Sequence, residues 1–214
     1  MAAQAQAGQI AFQFQGSDYS GSGVFTFVPN VAPADPNPAC GTIGNNPCRT
    51  DPPGAYAITG IAGSFTDAKL GLINAVITGL VPISPTNERD PVFDPLVPSS
   101  LSYIDFPGGS FTYNNLFFPN GSPIDCAFPF TGTFLDVFGL AFTVAGGYTA
   151  DLWGDGDLHG PGTTTYGFVL SDGSTKLIND FDGVNAAVPE PSSLALLATG
   201  LLGALAFRRR PKAK

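Results

Sequence analysis

Charge and chemistry-bearing side chains are scarce in this 214-residue chain. Asp, Glu, Lys and Arg together make up 12% of it, about half of the roughly 25% usual in soluble domains. That excludes a coiled coil and a charged disordered tail, both of which need dense charge. One His and three Cys leave little for a zinc centre or a nucleophile–base pair. Before the C-terminal tail no apolar run is long enough to span a bilayer, which excludes a multipass membrane protein. There is no phosphate-binding loop, no dinucleotide fingerprint and no Gly-x-Ser-x-Gly. Ahead of the tail the only Glu is Glu88, so carboxylate chemistry would fall to Asp; Asp105, Asp125, Asp136 and Asp151 are candidates in type alone. On these absences the chain is expected not to be an enzyme.

Gly (27) and Pro (20) are abundant instead, which implies many turns and few long helices. The 17 acids outnumber the nine bases, and five of those bases are Arg208, Arg209, Arg210, Lys212 and Lys214. The body of the chain is therefore strongly acidic. Phosphate would be repelled, so nucleic acid is excluded as a partner.

Residues 8–187 read as short strands. Gln9–Gln15 alternates apolar and polar residues, as a half-buried strand does. Gly23–Val28, Ala55–Phe65, Ile73–Leu80, Ser110–Phe118, Gly132–Leu140, Ala141–Leu152, Thr163–Leu170 and Lys176–Ile178 continue the series. Asn120-Gly121, Gly146-Gly147 and Ser171-Asp172-Gly173 are the turn signals, and Asp67–Leu72 reads as one helical turn. Eight to ten strands at this spacing predict an all-β fold, an antiparallel, jelly-roll-like β-sandwich. Most of the 18 Phe fall in these strands and are expected in the core. Val31–Pro53 and Pro82–Pro98 are two long Pro-rich excursions, the kind of loop on which binding surfaces are placed.

The richest segment for a site is Ala150–Gly162, ADLWGDGDLHGPG. Asp151, Asp155 and Asp157 are candidate oxygen ligands for Ca²⁺, set against the plainer reading of a loop with ordinary Asp-Gly turns. No EF-hand pattern surrounds them, and no other cofactor is expected. Trp153, the only Trp, is a candidate platform for a sugar ring, or else an edge residue of the core.

The C-terminus carries the most specific signal. Val188-Pro189-Glu190-Pro191 is rigid and non-helical, because each Pro fixes its own φ and restricts its predecessor. An uncharged run, Leu194–Phe207, follows, and Arg208-Arg209-Arg210 closes it. A hydrophobic helix over about 192–207 is expected; it is short for a span, and the arginines act as a stop signal on the cytoplasmic side. This order resembles the PEP-CTERM sorting signal of exported bacterial proteins. The resemblance implies recognition by exosortase, anchoring in the inner membrane before processing, and a cell-surface or extracellular destination. Segments such as FTYNNLFFPNGSPIDC and ADLWGDG resemble, more loosely, ectodomains of PEP-CTERM proteins with no assigned activity.

Three domains are therefore expected: residues 1–7 as the remnant of a signal peptide, whose Ala5-Gln6-Ala7 has the form of a cleavage site; 8–187 as the ectodomain; and 188–214 as the sorting signal. Export also favours a disulfide between Cys40 and Cys48, which share one loop, with Cys126 left over. The resulting expectation is a surface or matrix protein, structural or adhesive among extracellular polysaccharide in a biofilm. The alternatives are a carbohydrate-binding module and, behind it, a glycan hydrolase.

Overall fold

The computed structural model describes residues 7–30, 51, 54–83, 102–122, 133–156 and 165–188. The expected disulfide at Cys40 and Cys48, the remaining Cys126, Asp157, residues 1–6 and the expected helix over 192–207 lie outside the described residues. No helix occurs among the described residues, and none there is long and apolar enough to cross a membrane.

Among the described residues eleven strands follow in chain order: β1 (Gly8–Gln15), β2 (Tyr19–Pro29), β3 (Tyr56–Asp67), β4 (Leu72–Leu80), β5 (Ser102–Phe106), β6 (Gly109–Tyr113), β7 (Leu116–Phe117), β8 (Leu140–Val144), β9 (Tyr148–Gly156), β10 (Thr165–Ser171) and β11 (Lys176–Ala187). Every pairing is antiparallel. The all-β expectation holds, but the sandwich does not. Neighbours run β1-β2-β3-β4-β8-β9-β10-β11, and β11 pairs back onto β1 through Gln13↔Ala187 and Gln15↔Asn185. Eight strands thus close into an up-and-down barrel, with the two-residue β7 added beside the start of β3. Closure removes the open edges that a sandwich would leave. Inward–outward alternation is the same in both architectures, so strand patterns alone do not separate them.

Local sequence helps the sheet to curl. Gly23 of β2 faces Gly63 of β3, and a Cβ on either would collide with the other strand's backbone. With side chains absent from both, β2 and β3 bend closely around the interior.

Aromatic rings fill that interior. Phe168 sits 5.0 Å from Phe14, 4.9 Å from Tyr19 and 5.6 Å from Phe65, measured between ring centroids. Phe12, Phe25, Phe142, Leu140 and Leu152 complete the same buried cluster. The expectation that Phe forms the core is met. A barrel of eight strands is just wide enough to be filled by side chains, and this one is.

The two ends of the barrel differ. The connections β1–β2, β3–β4, β8–β9 and β10–β11 are tight turns, all at one end. The longer connections, after β2, β4 and β9, leave from the other end, as does the chain after Ala187. The segment between β4 and β8 carries the hairpin β5–β6, which runs down the outside of the barrel. Its tip, Gly108, lies against the carbonyl of Ser174 in the β10–β11 turn. Asn114 and Asn115 latch the return. Asn115, with φ of 53°, donates from Nδ2 to the Val81 carbonyl (2.9 Å) and accepts from the Ala141 N–H (3.0 Å).

Candidate functional site: an outer-wall cleft

Side chains alternate along β9. Ala150 and Leu152 point into the core, so Asp151, Trp153 and Asp155 point outward. These are three of the four residues singled out in the Ala150–Gly162 segment. The outward face is partly roofed by β6, and together they enclose a cleft of about 330 Å³. Thr112, Asp151, Trp153, Asp155, Lys176 and Phe181 are among its walls.

The indole is seated by its cross-strand neighbour. Trp153 pairs with Gly167 of β10, and any Cβ at Gly167 would collide with Cε2, Cζ2 and Nε1 of the ring. Trp153 Nε1 donates to Asp155 Oδ1 at 2.8 Å, and the ring meets Phe181 edge-on at 5.7 Å. Phe181 itself is 56% exposed. Trp153 therefore belongs neither to the core cluster nor to a mobile surface; it is a fixed outer-wall ring lining the cleft.

Asp151 is the unusual group. It is 2% exposed, and its Oδ1 has no hydrogen-bond partner among the described residues. Burial drives its pKa well above the ordinary carboxylate range, and the nearby charge of Asp136 adds to the rise. Asp136 is the opposite case in its bonding. It accepts from Asn114 Nδ2 (2.6 Å) and from the N–H groups of Phe138 (3.0 Å) and Gly139 (3.2 Å). Burial still lifts it to about 6 against those bonds. Asp136 is thus a turn-forming residue that holds the stretch before β8.

For calcium, the relevant spacing is along one strand. Asp151 and Asp155 are four residues apart on β9, a rise of roughly 13 Å between Cα atoms in extended chain. No group of three or more His, Cys, Asp or Glu able to hold a metal occurs among the described residues. Asp105 lies in β5, while Asp125 lies outside the described residues. Gly167, Lys176, Phe181 and the β6 residues were not legible as site residues, because only cross-strand register brings them to β9.

At the other extreme of the chain, β11 runs to Ala187, and Val188 packs half-buried against the barrel core. Residues 187–210 match the PEP-CTERM protein-sorting motif. The chain carries a PEP-CTERM sorting signal. It is therefore an exported protein whose C-terminal motif implies processing by exosortase. The motif starts on the last residue of the last strand, so no spacer separates barrel and signal. No curated protein and no solved structure matches the chain.

Proposed function

We propose that this PEP-CTERM protein is a non-catalytic structural or adhesive component of an extracellular polysaccharide matrix, and that the cleft around Trp153 is where it holds glycan. Before processing, the apolar run over about 192–207 retains it at the inner membrane with Arg208, Arg209 and Arg210 on the cytoplasmic side. Afterwards the barrel is at the cell surface or outside the cell. The supporting observation is the immobilised indole. A ring already held by Gly167, Asp155 and Phe181 loses little entropy when a sugar stacks on it. Around the ring, Thr112 and Asp151 supply hydroxyl and carboxyl groups for sugar hydroxyls. Co-sedimentation of the protein with the host's exopolysaccharide tests this reading. Saturable binding that falls at least tenfold in Trp153→Ala is expected, and undiminished binding by that variant would overturn it. The same assay with and without Ca²⁺ judges a calcium role for Asp151, Asp155 and Asp157.

A hydrolase is the second reading, favoured by one observation. Asp151 has the raised pKa that a general acid in a cleft needs. Release of reducing ends from the matrix glycan, abolished by Asp151→Asn, would establish it.

A further inference from the structure

We propose that the cleft selects sugars bearing a free, protonated amino group over neutral sugars. The inference rests on reading the cleft as a glycan site, and names the kind of glycan. Its basis is the mismatch between what lines the cleft and what satisfies it. Asp151 is one of the residues lining the cleft, and its buried Oδ1 has no donor among the described residues. Such an oxygen is costly to leave unpaired. Asp136 stands near enough for its charge to act on Asp151, so a cation beside Asp151 would offset that influence as well as supply the missing donor.

The rest of the lining fits an ammonium better than a metal ion. A divalent metal needs several ligands converging at about 2.3–2.6 Å, and no group of three or more His, Cys, Asp or Glu able to hold one occurs among the described residues. An ammonium needs one carboxylate, and is further stabilised by aromatic faces. Trp153 and Phe181 provide those rings beside Asp151 and Asp155. Lys176 is the cleft's own cation; its stem lies beside Gly109 at the hairpin tip. The volume of about 330 Å³ accommodates a single sugar residue, not a folded peptide.

Because Trp153 is the only Trp, its fluorescence reports this cleft alone. The test titrates the full chain with three probes of equal length: glucosamine disaccharide, its di-N-acetylated form and cellobiose. The amine-bearing disaccharide is expected to bind at least tenfold more tightly than the other two. Asp151→Asn should erase that preference. Phe181→Ala, which removes an exposed ring and disturbs no core contact, should weaken amine binding severalfold. An acidic protein attracts cations everywhere, so a preference that survives Asp151→Asn would overturn the proposal. Equal affinity for all three probes would overturn it too, while leaving a glycan site in place. Failure of all three to bind would remove both this inference and the glycan reading of the cleft.

Discussion

Trp153 occupies the space that a side chain at residue 167 would take, and Gly167 leaves it open. The indole's position is therefore set by an absence on the neighbouring strand. Gly167→Ala is expected to push the ring off the wall. Emission from this sole Trp should shift to the red and acrylamide quenching should increase, at a stability cost of about 1–3 kcal/mol. An unchanged spectrum with an unchanged thermal midpoint would show that the seat does not depend on Gly167.

Burial raises the pKa values of Asp136 and Asp151, which fixes the sign of a pH dependence. In the folded chain both carboxyls hold their protons more tightly than the ordinary value of 3.8 allows. Their contribution to stability is fully present below that value and is lost as pH rises through the raised pKa values, which for Asp136 is about 6. The urea midpoint is expected to be lower at pH 8 than at pH 5. Asp151→Asn, which cannot ionise, should narrow the gap; an identical gap in the variant would assign the effect elsewhere.

Asn115 joins the inserted segment to the barrel. Asn115→Ala removes two side-chain hydrogen bonds and orphans the Val81 carbonyl and the buried Ala141 N–H. It also keeps a left-handed backbone without the residue type that tolerates it. A loss of about 2–4 kcal/mol in chemical denaturation is expected. A loss below about 0.5 kcal/mol would mean that solvent replaces these bonds.

Phe168 touches rings from β1, β2 and β3 across the interior. Phe168→Ala should cost about 3–5 kcal/mol in the same measurement.

Replacing Pro189-Glu190-Pro191 with Ala-Ala-Ala is expected to block C-terminal processing in a host with exosortase, with far-UV circular dichroism unchanged. Mass spectrometry of the C-terminus reads the outcome. A processed terminus identical to wild type would remove these three residues from the recognition.

Much of the strand content was legible, since alternation marks a half-buried strand wherever local chemistry agrees. Gln9–Gln15 was expected and Gly8–Gln15 observed; Ile73–Leu80 became Leu72–Leu80. Misses occur where polar side chains redirect the backbone. Ser110–Phe118 was expected as one strand, but Asn114-Asn115 splits it into β6 and β7. Gly132–Leu140 was expected as a strand, yet Asp136 accepts from Phe138 and Gly139 and turns the chain there. Asp67–Leu72 is a tight turn rather than a helical one, with Asp67 Oδ1 accepting from the Lys69 and Leu70 N–H groups. The last strand was expected to end at Ile178, ahead of Asp180-Phe181-Asp182-Gly183, where no turn is formed. That stretch is a bulge instead: Asp180 Oδ1 accepts from Gly183 N–H, and β11 continues to Ala187. In the site, Asp151, Trp153 and Asp155 were visible because they stand close together in one Asp- and Gly-rich segment; that β9 continues to Gly156 and puts them on one face was not. Their surroundings were hidden, because β10, β11 and the hairpin are joined to β9 only by register.

The seam between β1 and β11 ties the fold to the timing of export. The first strand has no partner on that side until the last one is available, so the barrel cannot close around a partly translocated chain. Contacts that join opposite ends of a sequence also form slowly. Resistance to protease outside the membrane is therefore a marker that residue 187 has emerged, which is where the sorting motif begins. The residue that completes the barrel's last strand is also the first of the sorting motif, so the seam cannot be finished before the motif begins.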